Sequence, residues 1–158
     1  MMNYKPFYIW WTTVLLLLTA TFWIGFEGYI MDIWMKDVTY LTSVISVILA
    51  YGVATMGVVS WQISRNNVTT NTRKMVDRVW FLSEIEMGLA IVGTGIGIIL
   101  LLDVNSSINV SDPIALQTLL THLWSTLGVA FYPNALGLIA SLTLKLLAFF
   151  ITEDLNET

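Results

Sequence analysis

Few side chains of this chain could take part in covalent or acid–base chemistry. The chain contains no cysteine, which rules out disulfides, thiolate metal sites and cysteine catalysis, and it contains a single histidine, His122. It has no phosphate-cradling glycine loop, no metal-ligand cluster and no nucleophile beside a base. We therefore predict that the protein is not an enzyme and that it holds no cofactor or metal.

The remaining candidates are polar residues inside apolar segments. Thr94 lies in the run Gly93-Thr94-Gly95-Ile96-Gly97, and Asn134 follows Pro133 in another apolar segment. Glycine destabilises a helix interior, so a run of this kind favours close approach of a second helix and predicts a helix contact at Thr94. A purely structural explanation stays open for both polar residues. A threonine hydroxyl can bond its own helix, and an asparagine can bond carbonyls that proline leaves free.

The ionisable residues of the apolar segments have simple structural explanations. Glu84 and Glu86 are predicted to open a helix, where acids favour the positive end of the helix dipole. Lys145 is expected to extend toward the headgroups or a water-filled vestibule. Residues 42–60 and 87–102 contain no acid or base in their central turns. A carboxylate at the membrane midplane would therefore have to come from another protein.

Composition indicates which elements must position these residues. Of 158 residues, 56% are hydrophobic and only 11% are charged, which is more apolar surface than one soluble core can cover. Segments long enough to span a bilayer predict an all-α membrane protein with four transmembrane helices in a single domain, residues 1–158. The last segment is long, and Pro133 predicts a kink in it. The predicted spans are residues 7–26, 40–61, 84–103 and 116–150.

The basic residues predict the orientation of the chain. Lysine and arginine collect on the cytoplasmic side of short loops. The short linker 62–80 is therefore predicted to be cytoplasmic, both termini then lie in the cytoplasm, and only Lys36 of the 7 basic residues is outside. This arrangement is expected of a multi-pass protein of a bacterial inner membrane. The basic residues of the linker are Arg65, Arg73, Lys74 and Arg78.

Two stretches resemble the proton-channel subunits of the MotA/TolQ/ExbB family. Residues 93–98, Gly-Thr-Gly-Ile-Gly-Ile, resemble the Gly-Thr-x-x-Gly stretch of the family's penultimate membrane helix. Residues 133–141, Pro-Asn-Ala-Leu-Gly-Leu-Ile-Ala-Ser, resemble the Ala-Thr-Ala-x-Gly-Leu stretch of its final helix. The glutamate that the family often carries shortly before the second threonine is Val129 here. The family's large cytoplasmic domain is reduced to residues 62–80.

The resemblance implies a subunit of an ion-conducting motor complex that couples the flow of protons or sodium ions to mechanical work. It implies a homo-oligomer, a pentamer, around single-span helices of a MotB/TolR/ExbD-like partner that contributes an intramembrane aspartate. Thr94 and Asn134, which stands at the second threonine position, would line the ion pathway. The residues that would allow close helix approach are Gly93, Gly97 and Gly137. The predicted surroundings are the lipid bilayer, and nucleic acid is not a predicted partner.

The alternative is an uncoupled pore-forming or scaffold oligomer, similar to a holin. Small size, short loops and a glycine packing face suit it equally well, and it needs no acid. Thr94→Val discriminates the two, because it should abolish coupled ion flow in the first case and change little in the second. A transporter or a membrane enzyme ranks last, because the sequence has neither an internal repeat with broken helices nor a catalytic cluster.

Overall fold

The computed structural model describes residues 4–28, 40–105 and 131–156, together with isolated positions between 117 and 127. The side chains of residues 100–105 and 156 are not described. The described chain is all-helical, as predicted, and has four helices long and apolar enough to cross a membrane. Lys36, His122 and Val129 lie outside the described residues. The helices are α1 (Lys5–Phe26), α2 (Leu41–Ser64), α3 (Thr70–Asn105) and α4 (Tyr132–Asn156).

A tight connection joins α2 to α3. It comprises only residues 65–69, so most of the predicted linker belongs to the two helices. Reciprocal bonds fix the start of α3: the Thr69 amide donates to Thr72 Oγ1 at 3.0 Å, and the Thr72 amide donates to Thr69 Oγ1 at 3.3 Å. Thr72 Oγ1 in turn donates to Gln62 Oε1 of α2 at 2.8 Å. The two helices are therefore tied together at this end of the bundle.

Helices α2, α3 and α4 enclose the core, and α1 lies against its outside. Apolar side chains from the three inner helices form one buried cluster, whereas Pro6 is the one buried residue of α1. An amphipathic arrangement of this kind needs lipid or other protein to cover its outer faces. The buried cluster consists of Met56, Val59, Ile63, Val76, Val79, Leu144, Leu147, Ala148, Ile151 and Leu155.

Polar contacts attach α1 to the inner helices. The Trp10 indole Nε1 donates to the Val53 carbonyl at 2.8 Å. A Cβ atom on Gly57 would lie 2.6 Å from Trp10 Cζ2, so only glycine leaves room for the indole there. Lys5 Nζ lies 2.9 Å from Asp154 Oδ1. This ion pair places the start of α1 and the end of α4 at the same end of the bundle.

Pro133 occupies the first turn of α4, directly after Tyr132. A proline is well accommodated there, because the first amides of a helix have no partner within it. Residues 128–130, and residue 116 where the fourth span is predicted to begin, lie outside the described residues. The long span and its kink therefore stay predictions.

Candidate functional site

Helix α4 packs more extensively against α3 than against any other described helix, and two glycines lie in that contact. A Cβ atom on Gly93 would lie 3.0 Å from Pro133 Cβ. A Cβ atom on Gly137 would lie 2.5 Å from Ala90 Cβ and 3.0 Å from the Glu86 carbonyl oxygen. The two helices thus approach at backbone distance, which is what small residues permit in membrane bundles. Gly97 is half-buried in the next turn of α3.

The two predicted pathway residues flank one of these close approaches. Thr94 follows Gly93 on α3 and Asn134 follows Pro133 on α4, so the Gly93–Pro133 contact brings both polar residues to one level of the bundle. Both are half-buried. Thr94 Oγ1 donates to the Ala90 carbonyl at 3.1 Å, which is the structural arrangement expected of a helix threonine. Its oxygen retains the capacity to accept a hydrogen bond.

Glu86 is a candidate that the sequence reasoning missed. Its side chain is 0% exposed. Neither carboxylate oxygen has a hydrogen-bond partner among the described residues. Buried polar groups in native proteins are nearly always paired, and an unpaired carboxylate is among the most expensive to bury. Such a group calls for a functional or structural explanation.

The burial of Glu86 follows from its place on α3. Residues at alternating spacings of four and three form one buried stripe on this helix, and Glu86 is a member of it. Glu86 lies between Glu84, which pairs with Lys145, and Ala90, which packs on Gly137. Its position on α3 is therefore at the level of residues 137–145 of α4. The stripe consists of Thr72, Val76, Val79, Ser83, Glu86, Ala90 and Gly93.

The depth of Glu86 differs from the sequence expectation. Because α3 begins at Thr70, Glu86 lies in the middle of the candidate span and does not open the helix. At 1.5 Å per residue it lies about 9 Å from the level of Trp80 and about 10 Å from that of Gly93. The sequence did contain a signal: Glu86 precedes Gly93 by seven residues, so both share one helix face.

The charged groups around Glu86 are engaged elsewhere. Lys145 of α4 forms an ion pair with Glu84, with Nζ 2.7 Å from Oε1, and lies 5.8 Å from the centroid of the Trp80 ring. Lys5, the one charged residue of α1, pairs with Asp154. Helix α2 contains no acid, lysine, arginine or histidine. Within the described part of the chain, Glu86 thus has no counter-ion.

Other features of the described chain offer less chemistry. A cavity of about 630 Å³ between α1 and α2 is lined almost wholly by apolar side chains, among them Trp10, Leu49 and Leu136. No group of three or more histidine or acidic residues that could hold a metal ion occurs among the described residues. The polar positions at the contact between α3 and α4 therefore form the candidate site.

No protein-family model, curated protein or solved structure matches this chain. The resemblance to the MotA/TolQ/ExbB family accordingly rests on residues 93–98 and 133–141 alone.

Proposed function

We propose that this chain is an ion-conducting subunit of a multi-subunit membrane complex of the MotA/TolQ/ExbB type, which passes protons or sodium ions. The observation that supports this function most is the level shared by Thr94 and Asn134 at the contact between α3 and α4. Polar side chains at membrane depth are costly, and they characteristically lie where ions or polar partners pass. In the proposed complex, five copies surround single-span partner helices that carry an aspartate.

The outer surface of the bundle is compatible with such an assembly. Large apolar side chains of α1 are exposed, among them Phe22 and Trp23, which are 75% and 70% exposed. A membrane-embedded oligomer would cover such side chains with lipid, with other copies or with partner helices. The proposed location is the bacterial inner membrane, with both termini in the cytoplasm.

Flux through the purified native complex in proteoliposomes tests the proposal. An imposed pH or sodium gradient should drive ion flow that Thr94→Val and Asn134→Leu each reduce at least tenfold, because each removes a polar group from the pathway. Thr19→Val is the matched control, since Thr19 makes the same bond to its own helix, 2.7 Å to the Leu15 carbonyl, on the exposed face of α1. Equal flux in all variants would contradict the pathway.

A second function has its own supporting observation. The connection of residues 65–69 is too short to form a cytoplasmic body that could push on another protein. This favours an uncoupled pore-forming or scaffold oligomer. Native mass spectrometry of the complex, extracted with its neighbours, separates the two functions: five copies with a single-span partner bearing an intramembrane aspartate support the coupled channel. A homo-oligomer without such a partner supports the pore or scaffold.

A further inference from the structure

We propose that Glu86 is a reversible proton-binding site within the membrane-spanning part of this chain. The proposal goes beyond the proposed function, in which the intramembrane acid belongs to a partner, and it does not depend on ion flow. It rests on the geometry of one side chain. The Glu86 carboxyl group is fully buried, lies in the middle of α3 and has two oxygens without a described partner.

The surroundings of Glu86 favour a proton over a metal ion as the ligand. Small hard cations require several oxygen ligands arranged around them. At this level of α4, between residues 137 and 145, the buried positions are Gly137, Ala140, Ser141 and Leu144, of which only Ser141 has a side-chain oxygen. A proton needs no further ligand, because binding to one carboxylate oxygen removes the charge that burial makes expensive.

No described side chain on the helices packed against α3 supplies a positive charge that could neutralise the Glu86 carboxylate in place of a proton. On α4, Lys145 pairs with Glu84, and Asp154 pairs with Lys5 of α1 at the far end of the bundle. Neither α1 nor α2 carries another charged residue. The other titratable side chains that the structure describes in these helices are Tyr8, Tyr51, Arg73, Lys74, Asp77, Arg78, Tyr132 and Glu153, and each is exposed or half-buried.

A buried structural glutamic acid would hold its proton permanently, whereas the proposed site exchanges it with water. Infrared difference spectroscopy of the native complex in lipid distinguishes the two. We expect a carboxylic-acid C=O band that disappears reversibly as the pH is raised and shifts in heavy water. The band should be absent from Glu86→Gln, an uncharged variant of nearly equal size. Glu84→Gln is the matched control and should retain the band, since Glu84 is 55% exposed and paired.

Three results would overturn the proposal. The first is a band that survives in Glu86→Gln, and the second is a Glu86 band that does not respond to pH. The third is loss of the band on adding sodium chloride at constant pH, which would assign the site to Na⁺. Should Glu86→Gln fail to fold, carbodiimide labelling of the wild-type complex gives the same answer, because the reagent adds to the protonated carboxyl group. The modified residue, located by peptide mass spectrometry, should be Glu86, increasingly so at lower pH.

Proton and sodium flux recorded on the same preparations keeps the two proposals separate. A titrating Glu86 band without flux retains the proton site and contradicts the channel. Flux that Thr94→Val abolishes, together with a Glu86 band that does not titrate, retains the channel and overturns the site. When both hold, the chain carries an acid of its own in addition to any aspartate from a partner.

Discussion

At the scale of single residues, Glu86 and Asp154 are the fully buried acids among the side chains that the structure describes, and Asp154 is paired with Lys5. Glu84, two positions earlier, points to the other side of α3 and is half-exposed in an ion pair with Lys145. Glu86 has no partner in the described chain. A buried polar group without a partner reduces stability by about 1–3 kcal/mol. The fold therefore retains Glu86 at a cost, which is typical of functional residues.

Replacing Glu86 by an apolar side chain of similar length should stabilise the bundle. We expect Glu86→Met to raise the free energy of unfolding by about 1–3 kcal/mol, because it removes the buried carboxyl group without opening a cavity. Detergent-induced unfolding, followed by circular dichroism, measures the change. Glu84→Met is the control and should change stability by less than about 1 kcal/mol, as exposed ion pairs contribute little. A loss of stability in Glu86→Met would mean that the carboxyl group has a partner.

At the scale of helices, the sequence predicts how many helices form better than it predicts where each begins and which residues of two helices lie opposite each other. Four apolar segments suffice to predict four helices, because length and hydropathy are local properties. The run around Gly93 likewise indicates a helix contact. The depth of Glu86 could not be read in this way, because it depends on where α3 begins and on which residues of α4 lie opposite. The helix starts well before the apolar segment, at the cap formed by Thr69 and Thr72.

The contact between α3 and α4 should be intolerant of added volume at Gly137. We expect Gly137→Ala to destabilise the bundle by about 1–3 kcal/mol, since the new methyl group would meet Ala90 and the Glu86 carbonyl. The same unfolding assay measures it. Gly88→Ala is the control within α3: nothing lies within 4 Å of a Cβ there, so it should stabilise the helix by about 0.5–1 kcal/mol. Adding Ala90→Gly to Gly137→Ala should recover part of the lost stability, because it removes the methyl group that the new side chain would meet. Equal effects of the two alanine substitutions would contradict this helix register.

At the scale of the whole molecule, both ends of the described chain meet on one side. The Lys5–Asp154 ion pair joins the start of α1 to the end of α4, and the short connection between α2 and α3 is rich in polar residues. Four candidate membrane helices with both ends together agree with the arrangement that the basic residues predict. The charge distribution of the chain predicts which side faces the cytoplasm.

The absence of cysteine from the chain makes sidedness directly measurable, because a single introduced thiol is unambiguous. Glu27, directly after α1, and Glu153, near the end of α4, are both exposed and lie toward opposite ends of the bundle. A membrane-impermeant maleimide should label Glu27→Cys in spheroplasts, where the outer face of the inner membrane is accessible, and Glu153→Cys only in inverted vesicles. The positive-inside rule requires this result if the linker with Arg65 is cytoplasmic. The reverse labelling would mean that the chain has the opposite orientation in the membrane, with the level of Thr94 and Asn134 toward the cytoplasm. Labelling of both variants from one side would contradict four crossings altogether.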